Sequence, residues 1–158
     1  LAAWNHTVVR ARQGIRYDEV MFAPQYHCKS GLTPGEVVKA IIGGIKGGEK
    51  ECPEIEVNLL FAIGRELEPE QAIELLKVLE QCDRDYAVGA NIVCDESAFP
   101  PERHAKTVEY ADSAGINLEF HASEWVRRFD QAPDFERDLP MLKKNLRTVM
   151  DLFRRSKS

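Results

Sequence analysis

The tightest constraint on this chain is a rhythm of helix, glycine, short apolar strand and polar strand end, repeated through its first 125 residues. The opening stretch LAAWNHTVVRARQG reads as the tail of a helix that stops at Gly14. Tyr17 to Pro24 (YDEVMFAP) is the first strand candidate. Thr33, Pro34 and Glu36 then supply a capping box with proline at the first helical position. Val37, Val38, Ile41, Ile42 and Ile45 give that helix its apolar face before Gly47 and Gly48 end it. Ile55 to Ile63 is the second strand, followed by a helix from about Pro69 to Gln81. Tyr86 to Val93 is the third strand. Pro101 opens a further helix that ends at Gly115, and Asn117 to His121 is the fourth strand. Strands and helices alternating at this length imply parallel strands joined by right-handed crossovers, hence an α/β sheet or barrel. After His121 the rhythm breaks. Residues 126–138 read as a polar loop, and 139–156 as one amphipathic helix with Leu139, Leu142, Leu146, Val149 and Phe153 at helical spacing.

Composition narrows the function classes. At 158 residues the chain can bury a core but is short for a closed eight-stranded α/β barrel. A net charge of −5 leaves no basic footprint for nucleic acid or an anionic membrane surface. No apolar run approaches the roughly 20 residues of a spanning helix. The chain does not open with Met, and its first residues do not read as a signal peptide. Cys28, Cys52, Cys82 and Cys94 are scattered without a C-x-x-C pair, which suggests reduced thiols and a cytoplasmic setting.

In parallel α/β folds reactive groups gather at the carboxyl ends of the strands. Those ends are Pro24-Gln25-Tyr26-His27, Gly64-Arg65-Glu66, Cys94-Asp95-Glu96 and His121-Ala122-Ser123-Glu124. The last is the sharpest. A histidine at a strand terminus can offer a ring nitrogen to a metal, and a glutamate three residues on can shuttle protons in the same pocket. The plainer reading makes His121 a structural hydrogen-bonding group. His6 and His104 fall on predicted helices and are expected at the surface.

Residues Tyr17 to Trp125 resemble the adenosine deaminase family in five ordered blocks. YDEVMFAPQYH resembles its "Y-x-E-x-R-x-x-P" strand, with Met21 at the arginine position. GLTPGEVVKAIIGGI and LLFAIGRELEPEQAIEL resemble the units that follow. VGANIVCDESAFPPERH resembles "V-G-x-D-L-A-G-x-E … F-P-P", and INLEFHASEW resembles the strand ending in "H-A-G-E". The resemblance implies a partial TIM-like (β/α) barrel of about four parallel strands with flanking helices and a C-terminal helix, residues 1–158 forming one partial domain. It implies hydrolytic deamination of adenosine or a related purine nucleoside by a zinc-activated water. It makes His121 a zinc ligand, Glu124 the acid that protonates the purine ring, and Asn91 and Cys94 substrate-binding positions. Zinc lowers the pKa of bound water so that hydroxide exists at neutral pH.

The departures from the family pattern are specific. A catalytic zinc needs about three protein ligands. The chain has no H-x-H segment and no strand after His121. Asn91 replaces an aspartate, while Cys94 and Ser123 replace glycines. His27, Cys94, Asp95 and Glu96 could in principle rebuild a metal site. The favoured alternative makes Cys94 a small buried filler and leaves Asp95 and Glu96 solvated or capping. Three functional readings stand. One is a purine nucleoside deaminase. Another is a non-catalytic half-barrel or pseudoenzyme that self-associates through exposed sheet edges or binds a partner. The third is a metal-dependent amidohydrolase acting on a different amine or amide.

Overall fold

A computed structural model of the chain describes residues 1–123 and 135–156. The elements run α1 (Ala2–Arg12), β1 (Tyr17–Phe22), α2 (Pro34–Glu51), β2 (Glu56–Gly64), α3 (Pro69–Glu80), β3 (Ala87–Val93), α4 (Ala105–Ser113), β4 (Asn117–Phe120) and α5 (Phe135–Ser156). The strands form one open sheet in the order β1-β2-β3-β4. β1 runs parallel to β2 with Tyr17 opposite Glu56 and Phe22 opposite Phe61. The expected four parallel strands with flanking helices are therefore present, and β1 and β4 are the edges of the sheet. β2 is buried along almost its whole length, as expected of a central strand covered on both faces.

The chain divides into two compact units. They are Leu1–Ala62 with Lys77–Gly89, and Ile63–Leu76 with Ala90–Ser158. In the first unit the capping box at Thr33 and Glu36 forms as expected. Gly47 and Gly48, however, do not end α2, which continues to Glu51. Gly48 and Gly44 serve close packing instead. A Cβ on Gly48 would lie 2.5 Å from the Thr7 Cβ, and one on Gly44 would lie 2.9 Å from the Ala3 Cβ. The glycines let α1 seat directly on α2, and the core continues through Ala11, Ile45, Ile55 and Val57.

In the second unit the single helix expected from Pro101 to Gly115 divides into a 3-10 turn, Pro101–His104, and then α4. α5 opens at Phe135, inside the segment read as loop, and carries Pro140 within it. Pro140 lies in the second turn, past the four amides that a helix start leaves unbonded, so it forfeits one backbone bond and crowds the carbonyl four residues earlier. Of the stripe expected to face the core, Val149 is buried and Leu139, Leu142 and Phe153 are half-buried, whereas Leu146 is 46% exposed. Among the described residues no helix is long and apolar enough to cross a membrane.

Candidate active site

Asn91, Cys94 and His121, three of the residues singled out from the sequence, lie at strand ends of the second unit. His121 follows β4, and its amide donates to the Ile92 carbonyl of β3 at 3.0 Å, continuing the ladder one residue beyond the strand. Beside it Asn91 is 6% exposed. The Asn91 side-chain N–H donates to Glu119 Oε2 at 2.6 Å, and Asn91 Oδ1 lies 2.9 Å from His121 Nδ1. These two contacts fix the chemistry of the ring. A carboxylate only accepts, so the amide nitrogen of Asn91 must face Glu119 and its oxygen must face His121. In the neutral ring His121 Nδ1 then carries the proton, and Nε2 is the nitrogen with the lone pair. Nε2 has no hydrogen-bond partner among the described residues. This is how an imidazole is set up to ligate a metal or accept a proton.

A second, buried network supports the same strand end. Arg65, the first residue after β2, is fully buried. Its guanidinium donates to the His121 carbonyl and to the Phe99 carbonyl at 3.5 Å, and lies 4.9 Å from the centre of the Phe120 ring. Glu96, 3% exposed, lies 3.9 Å from Arg65 and accepts from the Ser123 amide at 3.0 Å. Asn145 of α5 donates to the same Glu96 oxygen at 3.3 Å, and the Ser123 hydroxyl donates to the Leu142 carbonyl at 2.7 Å. Glu96 is thus neither solvated nor capping. It binds the residue next to Glu124 in sequence, and Glu124 itself lies outside the described residues.

His104, expected at the surface, is fully buried. Its Nε2 lies 3.1 Å from the Arg65 carbonyl, and its Nδ1 lies 3.2 Å from the Thr107 hydroxyl. A carbonyl only accepts, so Nε2 bears the proton and Nδ1 accepts from Thr107. Burial depresses its pKa below the ordinary histidine value, outweighing the opposing pull of the Arg65 carbonyl. The folded state therefore favours neutral His104, while the unfolded chain binds the proton at the ordinary value. Stability from this group is complete above that ordinary pKa, and is lost as pH falls through it toward the depressed folded value. Thermal melts should show the wild type losing more stability than His104→Gln between pH 7 and pH 5. Equal losses would contradict this assignment.

The other sequence candidates are dispersed. His27 lies in the first unit, stacked on Phe22 with ring centroids 4.8 Å apart. Asp95 accepts from the Ser97 and Ala98 amides at 2.9 and 3.2 Å, a turn-capping pattern. The Ser97 hydroxyl, followed by these amides, holds its pKa down. Cys94 is exposed rather than a buried filler. Partial desolvation of its sulfur, followed by the Glu66 carboxylate, pushes the thiol pKa up, which disfavours the thiolate that metals bind. Among the described residues no group of three or more His, Cys, Asp or Glu side chains could hold a metal ion. Those residues do not fit a three-ligand zinc.

The adenosine deaminase family model matches residues 1–128, taking in α1 as well as the blocks recognised from the motifs. The chain belongs to the adenosine deaminase family. It is 31% identical over 125 residues to an adenosine deaminase of Lactococcus lactis, covering 78% of this chain and 35% of that protein. It is 35% identical over 118 residues to one from Mycobacteroides abscessus, covering 72% of this chain and 32% of that protein. The chain thus spans about a third of the length of these curated relatives. An amidohydrolase from Burkholderia ambifaria, solved with bound zinc, shares the fold with a TM-score of 0.72 at 23% identity, over 89% of this chain and 38% of that one.

Family membership explains one backbone feature. The non-glycine residues with positive φ among the described residues are Cys94 at 81° and Ser123 at 63°. Both stand where the motif blocks have glycine. A non-glycine residue holds this left-handed conformation at a strain of about 1–2 kcal/mol. Glycine also loosens the unfolded chain by about 0.4–1 kcal/mol, so Cys94→Gly should stabilise by roughly 0.5–1 kcal/mol. Ser123→Gly also forfeits the bond to the Leu142 carbonyl, about 1 kcal/mol, and should be near neutral. Denaturant titration checks both, and a destabilised Cys94→Gly would show that backbone strain does not govern this position.

Proposed function

We propose that this chain forms part of a purine nucleoside deaminase that hydrolyses the exocyclic amine of adenosine or a close relative. The observation that carries the reading is the Asn91–His121 contact. It fixes the tautomer that leaves Nε2 available at the carboxyl end of a strand. In this reading His121 faces the metal, and Glu124 gives a proton to a purine ring nitrogen, making the amine-bearing carbon more electrophilic. Cys94 and Asn91 border the purine. The family relationship makes zinc the expected metal, but the described residues supply one histidine toward it, so no step is assigned to the ion.

The test is ammonia and inosine formation from adenosine by the protein that carries this chain, with zinc supplied and metal content measured in parallel. Inosine formation that His121→Ala abolishes is the expected result. No inosine from any purine nucleoside offered would refute the deaminase reading. The open sheet favours a second reading. β1 and β4 are edges, and Tyr17 and Met21 on β1 are 54% and 48% exposed. An inactive chain that associates with itself in sedimentation would favour a non-catalytic half-barrel, and a well-folded monomer would count against one.

A further inference from the structure

The buried carboxylate of Glu96 has no part in the chemistry proposed above, yet it is among the most heavily bonded side chains of the second unit. We propose that Glu96 is a positioning residue: it fixes the Ser123 backbone, the link between His121 and Glu124, with Arg65 and Asn145 of α5 holding the carboxylate in place. The proposal rests on the reading of Glu124 as the proton donor.

Three donors converge on Glu96. The Ser123 amide reaches it at 3.0 Å, Asn145 Nδ2 at 3.3 Å, and the Arg65 guanidinium lies 3.9 Å away. Asn145 is 2% exposed and Arg65 fully buried, so the cluster lies in a dry interior. Stability alone is a weak reason to bury a charge pair, because apolar side chains of similar size would pack as well without the desolvation cost. What the pair achieves here is geometric. One partner is the backbone N–H of Ser123, a residue in a left-handed conformation that non-glycine residues hold only when their surroundings over-determine it. The Ser123 hydroxyl gives a second hold, on the Leu142 carbonyl of α5.

Ser123 is therefore gripped through both its backbone and its side chain, by a carboxylate just past β3 and by the terminal helix. Arg65 also donates to the His121 carbonyl, so the Arg65–Glu96 pair touches the chain on both sides of Ala122. The His121 carbonyl and the Ser123 amide are thus tied to a common support, as placement within a fraction of an ångström demands.

The test compares Glu96→Gln with the double variant Arg65→Met/Glu96→Leu in the deaminase that carries this chain. Glutamine keeps an oxygen for the Ser123 amide. The double variant removes it without leaving a lone buried charge, so folding is preserved. Hydrogen exchange at the Ser123 amide is read alongside kcat, KM and the pH profile. The double variant should speed exchange at least ~10-fold and lower kcat ~10–100-fold with KM changed less than about threefold. Its pH profile should shift on the limb set by the proton donor. Glu96→Gln, which keeps the acceptor but takes the carboxylate away from buried Arg65, should lose stability yet recover most of both kcat and protection. A folded double variant with wild-type kcat, or with an unchanged Ser123 amide, overturns the positioning role. Loss of kcat with equal weakening of Glu96→Gln and no shift in the pH profile also overturns it, leaving a purely structural role. A wild-type protein without deaminase activity instead overturns the functional reading, and Ser123 exchange then still reports whether Glu96 holds the backbone.

Discussion

Replacing Arg65 by methionine should destabilise the second unit by about 3–5 kcal/mol, the usual cost of stranding one partner of a buried ion pair. The guanidinium is fully buried, and it serves Glu96, two backbone carbonyls and the Phe120 ring together. Methionine fills much of the volume but offers no donor. Glu96 would keep Asn145 and the Ser123 amide as partners and lose the Arg65 cation. The size of the effect is read from denaturant midpoints, and the double variant with Glu96→Leu should recover most of the loss. A single variant as stable as the wild type would show that the carboxylate carries no desolvation penalty at all. Independent additivity of the two single changes would show that the pair is not coupled.

The second large effect is expected at Asn91. Asn91→Leu removes the acceptor at His121 Nδ1 and the donor to Glu119 while keeping similar volume. The ring then loses the contact that selects its tautomer. Loss of such an orienting partner typically costs 10–100-fold in activity or metal affinity, and a fall in kcat/KM of about that size is expected for the deaminase. Nitrogen chemical shifts of His121 give a reading independent of turnover. The wild type should show the proton on Nδ1, and the variant a mixture of tautomers. Asn91→Asp still accepts from Nδ1, and should keep the wild-type tautomer where its second oxygen shares a proton with Glu119. A variant ring that stays protonated at Nδ1 would remove Asn91 from its orienting role.

The order of elements is readable because punctuation and apolar runs agree along the chain. Thr33-Pro34 opens α2, Pro69 opens α3, and Gly14 and Gly115 take positive φ where α1 and α4 give way to strands. Gly47 and Gly48 mislead for a physical reason. A glycine that ends a helix and one that admits a neighbouring helix look the same in sequence, and only the approach of Thr7 tells them apart. The site is readable in part. His121 stands out at a strand end, whereas its tautomer depends on Asn91, thirty positions earlier. His104 reads as a surface residue because its partner is a carbonyl 39 positions away. Arg65 and Glu96 follow apolar strands closely, and that is the only local signal of their role. Their burial comes from the packing of distant segments around them, which local periodicity does not encode.

Cys94 has a practical use that follows from its place on the strand end. It is the exposed member of the four cysteines, the others being partly covered. Its thiol pKa is raised, so alkylation should be slow at neutral pH and quicken as the solution is made alkaline. A fluorophore attached there at mildly alkaline pH would sit one residue beyond β3, close in sequence to Asn91. Its emission would then serve as an optical reporter of whatever enters or leaves that end of the sheet.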